Sequence, residues 1–245
     1  MTDYNYLPRN YLRSFRRAAN ASDAVRNMML LAHPGYATIF DNFLGDAINA
    51  TYETAKTNGT SAAVTVAGSQ LVMTTGTDDN GYAGLGPWVG WKGDNGIYFE
   101  SAQSVSSIAT GVKFEVGLTD SAQDAGAVAT KATPTGTADD FCVLVLDTDD
   151  NAEWDIISEL DNGGPVANHE NVFTAVGGVV FRTEFVMQND LVAVFINGQN
   201  VGGGSCQGGD LMTPWWFTQA RAGTDSRTGN VEYVFCTGPN GLLVP

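Results

Sequence analysis

Apolar and polar residues alternate along most of this chain. The runs "AAVTVAGSQLVMTT", "GVKFEVGL" and "VVFRTEFVMQNDLVAVFINGQNV" place apolar side chains on alternate positions over much of their length, while "FCVLVLD" and "VEYVFCTG" include continuous apolar stretches. Alternation is the period of a strand with one face buried. Asn-Gly recurs six times between such runs, at Asn58, Asn80, Asn95, Asn162, Asn197 and Asn240. The dipeptide readily takes the positive φ angles of a type I′ turn, so it reads as a hairpin signal when alternating residues flank it. Many short strands separated by turns predict a mainly β antiparallel sandwich or jelly roll.

The pattern is different before Gly35. Arg9, Arg13, Arg16 and Arg17 are spaced to share one helix face, while Leu12, Phe15 and Ala19 share another. Ser22 is placed to cap a second short helix carrying Val25, Met28, Met29 and Ala32, and Pro34-Gly35 ends it. Two parts are therefore expected: a helical arm over residues 1–40 and a β domain over 41–245. Isolated helices below about 12–15 residues are marginal in water, so the arm must pack on its own domain or on a partner.

Charge separates the same two parts. Residues 1–34 hold five arginines against two aspartates, a balance of +3. Residues 35–245 hold 7 basic and 25 acidic side chains, a balance of −18. A domain that acidic repels nucleic acid and anionic membrane. The arm offers only Leu12 and Phe15 as large apolar anchors opposite its arginines, too few for a membrane-lying helix. Protein docking is the expected use of Arg9, Leu12, Arg13, Phe15, Arg16, Arg17 and Arg26. No apolar run approaches the roughly 20 residues of a membrane span, and no signal-peptide core follows the first arginines. The expectation is a protein made in the cytosol that leaves it only as part of a larger particle. Cys142, Cys206 and Cys236 are an odd number without metal-type spacing, and are expected to be free thiols.

In "FRTEFVMQNDLVAVFINGQNV" a strand ends in Ile-Asn-Gly, and "TPWWFTQARAGTDSRTGNVEYVFC" follows with a Thr-Pro-aromatic strand and a Tyr-containing last strand. This order, over roughly residues 45–240, resembles the concanavalin A-like jelly roll of lectins, laminin-G modules and many glucanases. The series "DDNGYAGLGPWVGWKGDNGIYFESAQSV", "VKFEVGLTDSAQDAG" and "ADDFCVLVLDTDDNAEWDII" resembles jelly-roll structural proteins of tailed-phage virions, which decorate or cement capsids or form head fibres. That resemblance implies a non-enzymatic virion protein on the capsid exterior, with the arm on the major capsid protein and neighbouring copies forming a homotrimer. The alternatives are a carbohydrate-binding module for surface glycans and, less in keeping with the residues, a glucanase.

The candidate chemistry lies in "DTDDNAEWDIISELDNGG", from Asp147 to Gly164. Glucanases of this fold carry Glu-x-Asp-x-(x)-Glu on one strand. Glu153 and Asp155 match the first two positions, but the third falls on Ile157 or Ser158. Glu159 stands six residues from Glu153, about 20 Å along a strand rising about 3.3 Å per residue, whereas retaining hydrolysis needs its carboxyl groups about 5–5.5 Å apart. Catalysis is therefore not expected. Alternation turns Trp154 and Ile156 inward and leaves Glu153, Asp155 and Glu159 on a solvated outer face.

Asp147, Asp149 and Asn151 have the spacing of the first ligands of a calcium loop, but Ala152 and Ser158 replace the required Gly and Glu. They are the one metal candidate; no other cofactor is expected. Trp88, Trp91 and Trp216 are candidate glycan-stacking residues, with Trp215 and Phe217 facing opposite to Trp216. His33 and His169 are too isolated to build a triad or a metal site. Gly202-Gly203-Gly204 precedes no helix and is not a phosphate loop.

Overall fold

The computed structural model describes residues 36–245 except 46, 49–51, 53–55, 88, 109–110, 122–123, 222–224, 240–241 and 244–245. The arm residues Arg9, Leu12, Arg13, Phe15, Arg16, Arg17 and Arg26, and with them His33, lie outside the described residues. Tyr36–Asp41, which straddles the expected boundary at residue 40, forms a strand.

Two large sheets account for most of the described strands. The first runs β16 (Gln199–Ser205), β15 (Leu191–Ile196), β14 (Phe181–Gln188), β7 (Ile97–Val105), β18 (Thr228–Pro239), β4 (Gln70–Thr74) and β3 (Ala63–Ala67), with β1 (Tyr36–Asp41) also on β18. The second runs β13 (Val166–Thr174), β12 (Asn151–Glu159), β11 (Phe141–Asp147), β8 (Val112–Thr119), β17 (Leu211–Ala220), β5 (Tyr82–Leu85) and β2 (Lys56–Asn58). There β6 (Val89–Lys92) pairs with β17 and β19 (Leu242–Leu243). A separate hairpin joins β9 (Val128–Thr130) to β10 (Thr135–Gly136). Neighbours in the large sheets pair antiparallel. Chain neighbours are often not sheet neighbours: β7 sits between β14 and β18, and β17 between β8 and β5. These long connections make the sandwich a jelly roll.

Among the Asn-Gly pairs, Asn197 (φ 50) with Gly198 (φ 81) turns β15 into β16, both φ angles positive as a type I′ turn requires. Asn162 (φ 52) lies between β12 and β13, whereas Asn58 lies within β2 and Asn95 in a short 3-10 turn. Asn189 (φ 53) turns β14 into β15. The triple glycine has a packing role. A Cβ on Gly203 would lie 2.0 Å from the Val192 carbonyl oxygen, and one on Gly204 2.6 Å from Ser158 Oγ. Only bare backbone lets β16 come this close to its neighbours.

Between the sheets, Phe99, Phe181, Phe185 and Val194 of the first meet Phe114, Val116, Leu144, Trp154, Ile156 and Trp216 of the second. Trp154 meets Phe114 and Phe181 edge-on at 5.9 and 5.0 Å, and Trp216 meets Phe99 edge-on at 5.5 Å. The Trp216 indole N–H donates to Ser101 Oγ at 3.3 Å, which satisfies the polar tip of a buried ring. Cys142, Cys206 and Cys236 are buried free thiols, and burial pushes the Cys142 thiol up to about 12.

Candidate functional site

The strand with the glucanase-like residues alternates as its sequence requires. Trp154 and Ile156 enter the inter-sheet core. Its other face is not solvated, and here the sequence expectation fails. Asp155 and Glu159 are only 5% and 4% exposed, and Glu153 is half-buried. The segment around β9 and β10 lies across this face. Ala127, Val128 and Ala138 pack on Phe141, Val143, Val145 and Ile157, making a second, smaller core.

Buried charges stitch that cover down. Lys113 and Glu115, two apart on β8, point out of the same face and pair at 2.7 Å, neither exposed. Glu115 accepts the backbone N–H groups of Ala127 (2.7 Å) and Val128 (3.1 Å). The Lys113 ammonium donates to the carbonyls of Ala125 (2.9 Å) and Val128. Gly126 (φ 82) permits the approach, since a Cβ there would lie 2.5 Å from Glu115 Oε1. Lys131 donates to Asn151 Oδ1 at 2.6 Å and the Glu153 carbonyl at 2.7 Å, and stands 3.5 Å from both Asp150 and Asp155. Arg221 pairs with Asp147 at 2.7 Å and donates to the Ala129 carbonyl at 2.6 Å.

The side chains of both candidate chemistries are engaged by other groups of the chain. Asp155 is held by Asn171 N–H at 2.7 Å and by Lys131. Glu159 accepts the Gly164 N–H at 3.1 Å, and burial with Asp139, Asp140 and Asp120 nearby pushes its pKa up. Asp155 lines a cleft of about 150 Å³ with Asp150 and Glu170, and Lys131 stands between them, 3.5 Å from both Asp150 and Asp155. The calcium candidates do not converge either. Arg221 takes Asp147, Lys131 takes Asn151, and Asp149 is exposed, its N–H turned to Asp147 Oδ1. Cations from the chain itself stand where the spacing suggested a metal. Among the described residues, no three His, Cys, Asp or Glu side chains are placed to hold a metal ion.

The tryptophan candidates are corrected likewise. Trp91 and Trp216 are fully buried, Trp91 donating to the Ala37 carbonyl at 3.0 Å, so neither offers a ring face to a sugar. Trp88 lies outside the described residues. Trp215 and Phe217 do face away from Trp216, stacked with each other at 6.1 Å and, through Phe217, with Tyr82 at 5.5 Å. Lys113 lies 5.1 Å from the Phe217 ring centre, and Trp215 and Phe217 are buried. His169 is exposed beside Gly202.

The outer face of the first sheet is more open, and sequence reading passed over it. Register places Phe195, Glu184, Glu100 and Phe235 in one row across β15, β14, β7 and β18. Tyr98 lies in the row on one side, and Arg182 and Tyr233 in the row on the other. Apart from Glu184, which is buried, all six of these side chains are half-buried. Tyr98 and Tyr233 both donate to Glu100, the latter at 2.5 Å. Arg182 pairs with Glu184 at 3.0 Å and lies 3.8 Å from Glu100. Burial and the neighbouring carboxylates push both tyrosine pKa values up, so the phenols stay protonated and donate. Burial works against the Arg182 charge, but Glu100 and Glu184 outweigh it and hold its pKa up. The result is a preorganised patch of ring faces, carboxylate oxygens and one guanidinium. Its members come from positions as far apart as 98 and 235; the only local signal was the outward polar residues of "YFES" and "FRTEF".

Comparison with known proteins places the fold. No protein-family model and no curated protein matches the chain. Solved structures do. One, described with endo-acting O-glycanases that human gut microbiota use to initiate mucin breakdown, superposes with TM-score 0.61 at 8% identity, covering 82% of this chain and 99% of the other. A pseudo β-1,3-glucanase of Mycobacterium tuberculosis superposes with TM-score 0.59 at 11% identity, over 84% and 100% of the two chains. The Emp46p carbohydrate recognition domain in its potassium-bound form gives 0.54 at 8% identity, over 76% and 88%. The chain therefore has the concanavalin A-like jelly roll of lectins and glucanases, a likeness of fold.

Proposed function

We propose that this chain is a non-hydrolytic glycan-recognition domain, and that the patch of Tyr98, Glu100, Arg182, Glu184, Tyr233 and Phe235 is its binding face. The observation that carries the reading is the row of Glu184 and Glu100 flanked by half-exposed rings, with every polar group held by a neighbour on the same face. Sugars present apolar C–H faces to rings and hydroxyl donors to carboxylates, and a patch fixed before binding loses little entropy on doing so. The carbohydrate recognition domains sharing the fold favour this reading, and the covered face of β12 argues against hydrolysis. The test is a glycan array followed by calorimetry. Tyr98→Ala and Phe235→Ala are each expected to weaken the best ligand about tenfold, or about 1.4 kcal/mol. Full affinity in both variants, or no ligand on a broad array, would refute the reading.

A second reading concerns where such a domain is displayed, and the charge segregation favours it. A +3 arm on a −18 domain suits an anchor beneath an outward-facing, self-repelling surface. With the resemblance to phage decoration proteins, this supports a virion protein on the capsid exterior, its arm docked on the major capsid protein and its copies grouped as trimers. Removing residues 1–34 is expected to abolish binding to undecorated capsids while the β domain keeps its melting transition. Saturation of capsids by the truncated protein would exclude the arm as anchor.

A further inference from the structure

Glu100 is the more exposed of the two carboxylates in this row, its side chain 19% exposed against 4% for Glu184. The neutral phenols of Tyr98 and Tyr233 donate to it. The Arg182 guanidinium bridges the two carboxylates, 3.0 Å from Glu184 and 3.8 Å from Glu100. Phe235 stands beside it in the register, and the Tyr98 and Phe235 rings lie 5.9 Å apart. A carboxylate held by phenols and bordered by ring faces suits an ammonium group, which gains an ion pair and a cation–π contact together. The residues around it add to the attraction, because the β domain carries a balance of −18 and raises the local concentration of cations while repelling acidic polymers.

Building on the glycan reading above, we propose that this face selects glycans bearing free amino groups, with Glu100 as the residue that distinguishes the ammonium. The order of affinity that follows is amino sugar above uncharged sugar above acidic sugar. Lysine-rich peptides carry the same cation, but the row of rings and carboxylates runs across four strands and offers a sugar partners for its C–H face and hydroxyls as well as its ammonium.

The experiment is calorimetry on the full chain with glucosamine oligomers, their N-acetylated counterparts, uronic acid oligomers and oligolysine, in mildly acidic low-salt buffer where sugar amines are protonated. The expected result is a preference of about tenfold for glucosamine over N-acetylglucosamine oligomers, lost at high salt as surface charge is screened. Glu100→Gln is expected to weaken both oligomers and to weaken glucosamine about tenfold more, so that the two bind equally, with an unchanged near-ultraviolet spectrum as the check on folding. Phe235→Leu, which leaves the charges in place, is expected to weaken both. Equal binding of the two oligomers by the native protein would overturn the amine selectivity and leave glycan recognition standing. Binding of no oligosaccharide would overturn both. Oligolysine binding as tight as glucosamine would overturn the glycan specificity in favour of a cationic peptide.

Discussion

Glu115→Ala is expected to destabilise the β domain by about 3–5 kcal/mol, the usual result of removing one partner from a buried ion pair. Lys113 would lose its carboxylate partner in a site with no exposure, where burial already pushes its pKa down. The N–H groups of Ala127 and Val128 would lose their acceptor, and the cover would lose its tie to β8. Domain stabilities are about 5–15 kcal/mol, so this one side chain accounts for a large share. The double variant Lys113→Met, Glu115→Leu separates the terms. Removing both charges relieves the unpaired lysine, while the two backbone N–H groups stay unsatisfied at about 1–3 kcal/mol each. It is therefore expected to fall between native protein and Glu115→Ala in urea unfolding, with protease cleavage appearing first between residues 120 and 140. A loss below about 1 kcal/mol for Glu115→Ala, the scale of an exposed pair, would show that the cover is held by its apolar contacts instead.

Trp216→Ala is expected to cost about 3–5 kcal/mol, as for large aromatic truncations in a packed core. The change would remove the edge-on contact with Phe99, empty a space between the sheets, and leave Ser101 Oγ without the indole donor. Trp216→Phe should recover most of the packing. The pair also checks the correction from sugar platform to core residue. Thermal melting should shift strongly for Trp216→Ala, while glycan affinity per folded molecule should match the native protein. Loss of affinity at unchanged stability would reverse that assignment.

Alternation along the strands carried the reading a long way. It separated Trp216 from Trp215 and Phe217, turned Trp154 and Ile156 inward, and with Asn197-Gly198 located the turn from β15 into β16. These features depend on neighbours within a few residues, because a strand's period and a turn's positive φ are local properties. The gap in the glucanase signature at Ile157 and Ser158 was legible for the same reason.

Alternation says which residues share a face, and nothing about what covers it. The outward carboxylates of β12 were expected in solvent, yet residues 125–138 of another part of the chain bury them, with Lys113, Lys131 and Arg221 supplying charge from three separate segments. The same limit hid the open face, where register alone brings Glu100 beside Glu184 and Phe235. The sequence by itself determined the mainly β pattern, the Asn197-Gly198 turn and the inward side of strands such as β12. Only the tertiary structure decided which acidic residues are neutralised beneath a cover and which remain for a ligand, because that depends on contacts between separate segments, from 12 residues apart at Glu115 and Ala127 to 133 at Glu100 and Tyr233.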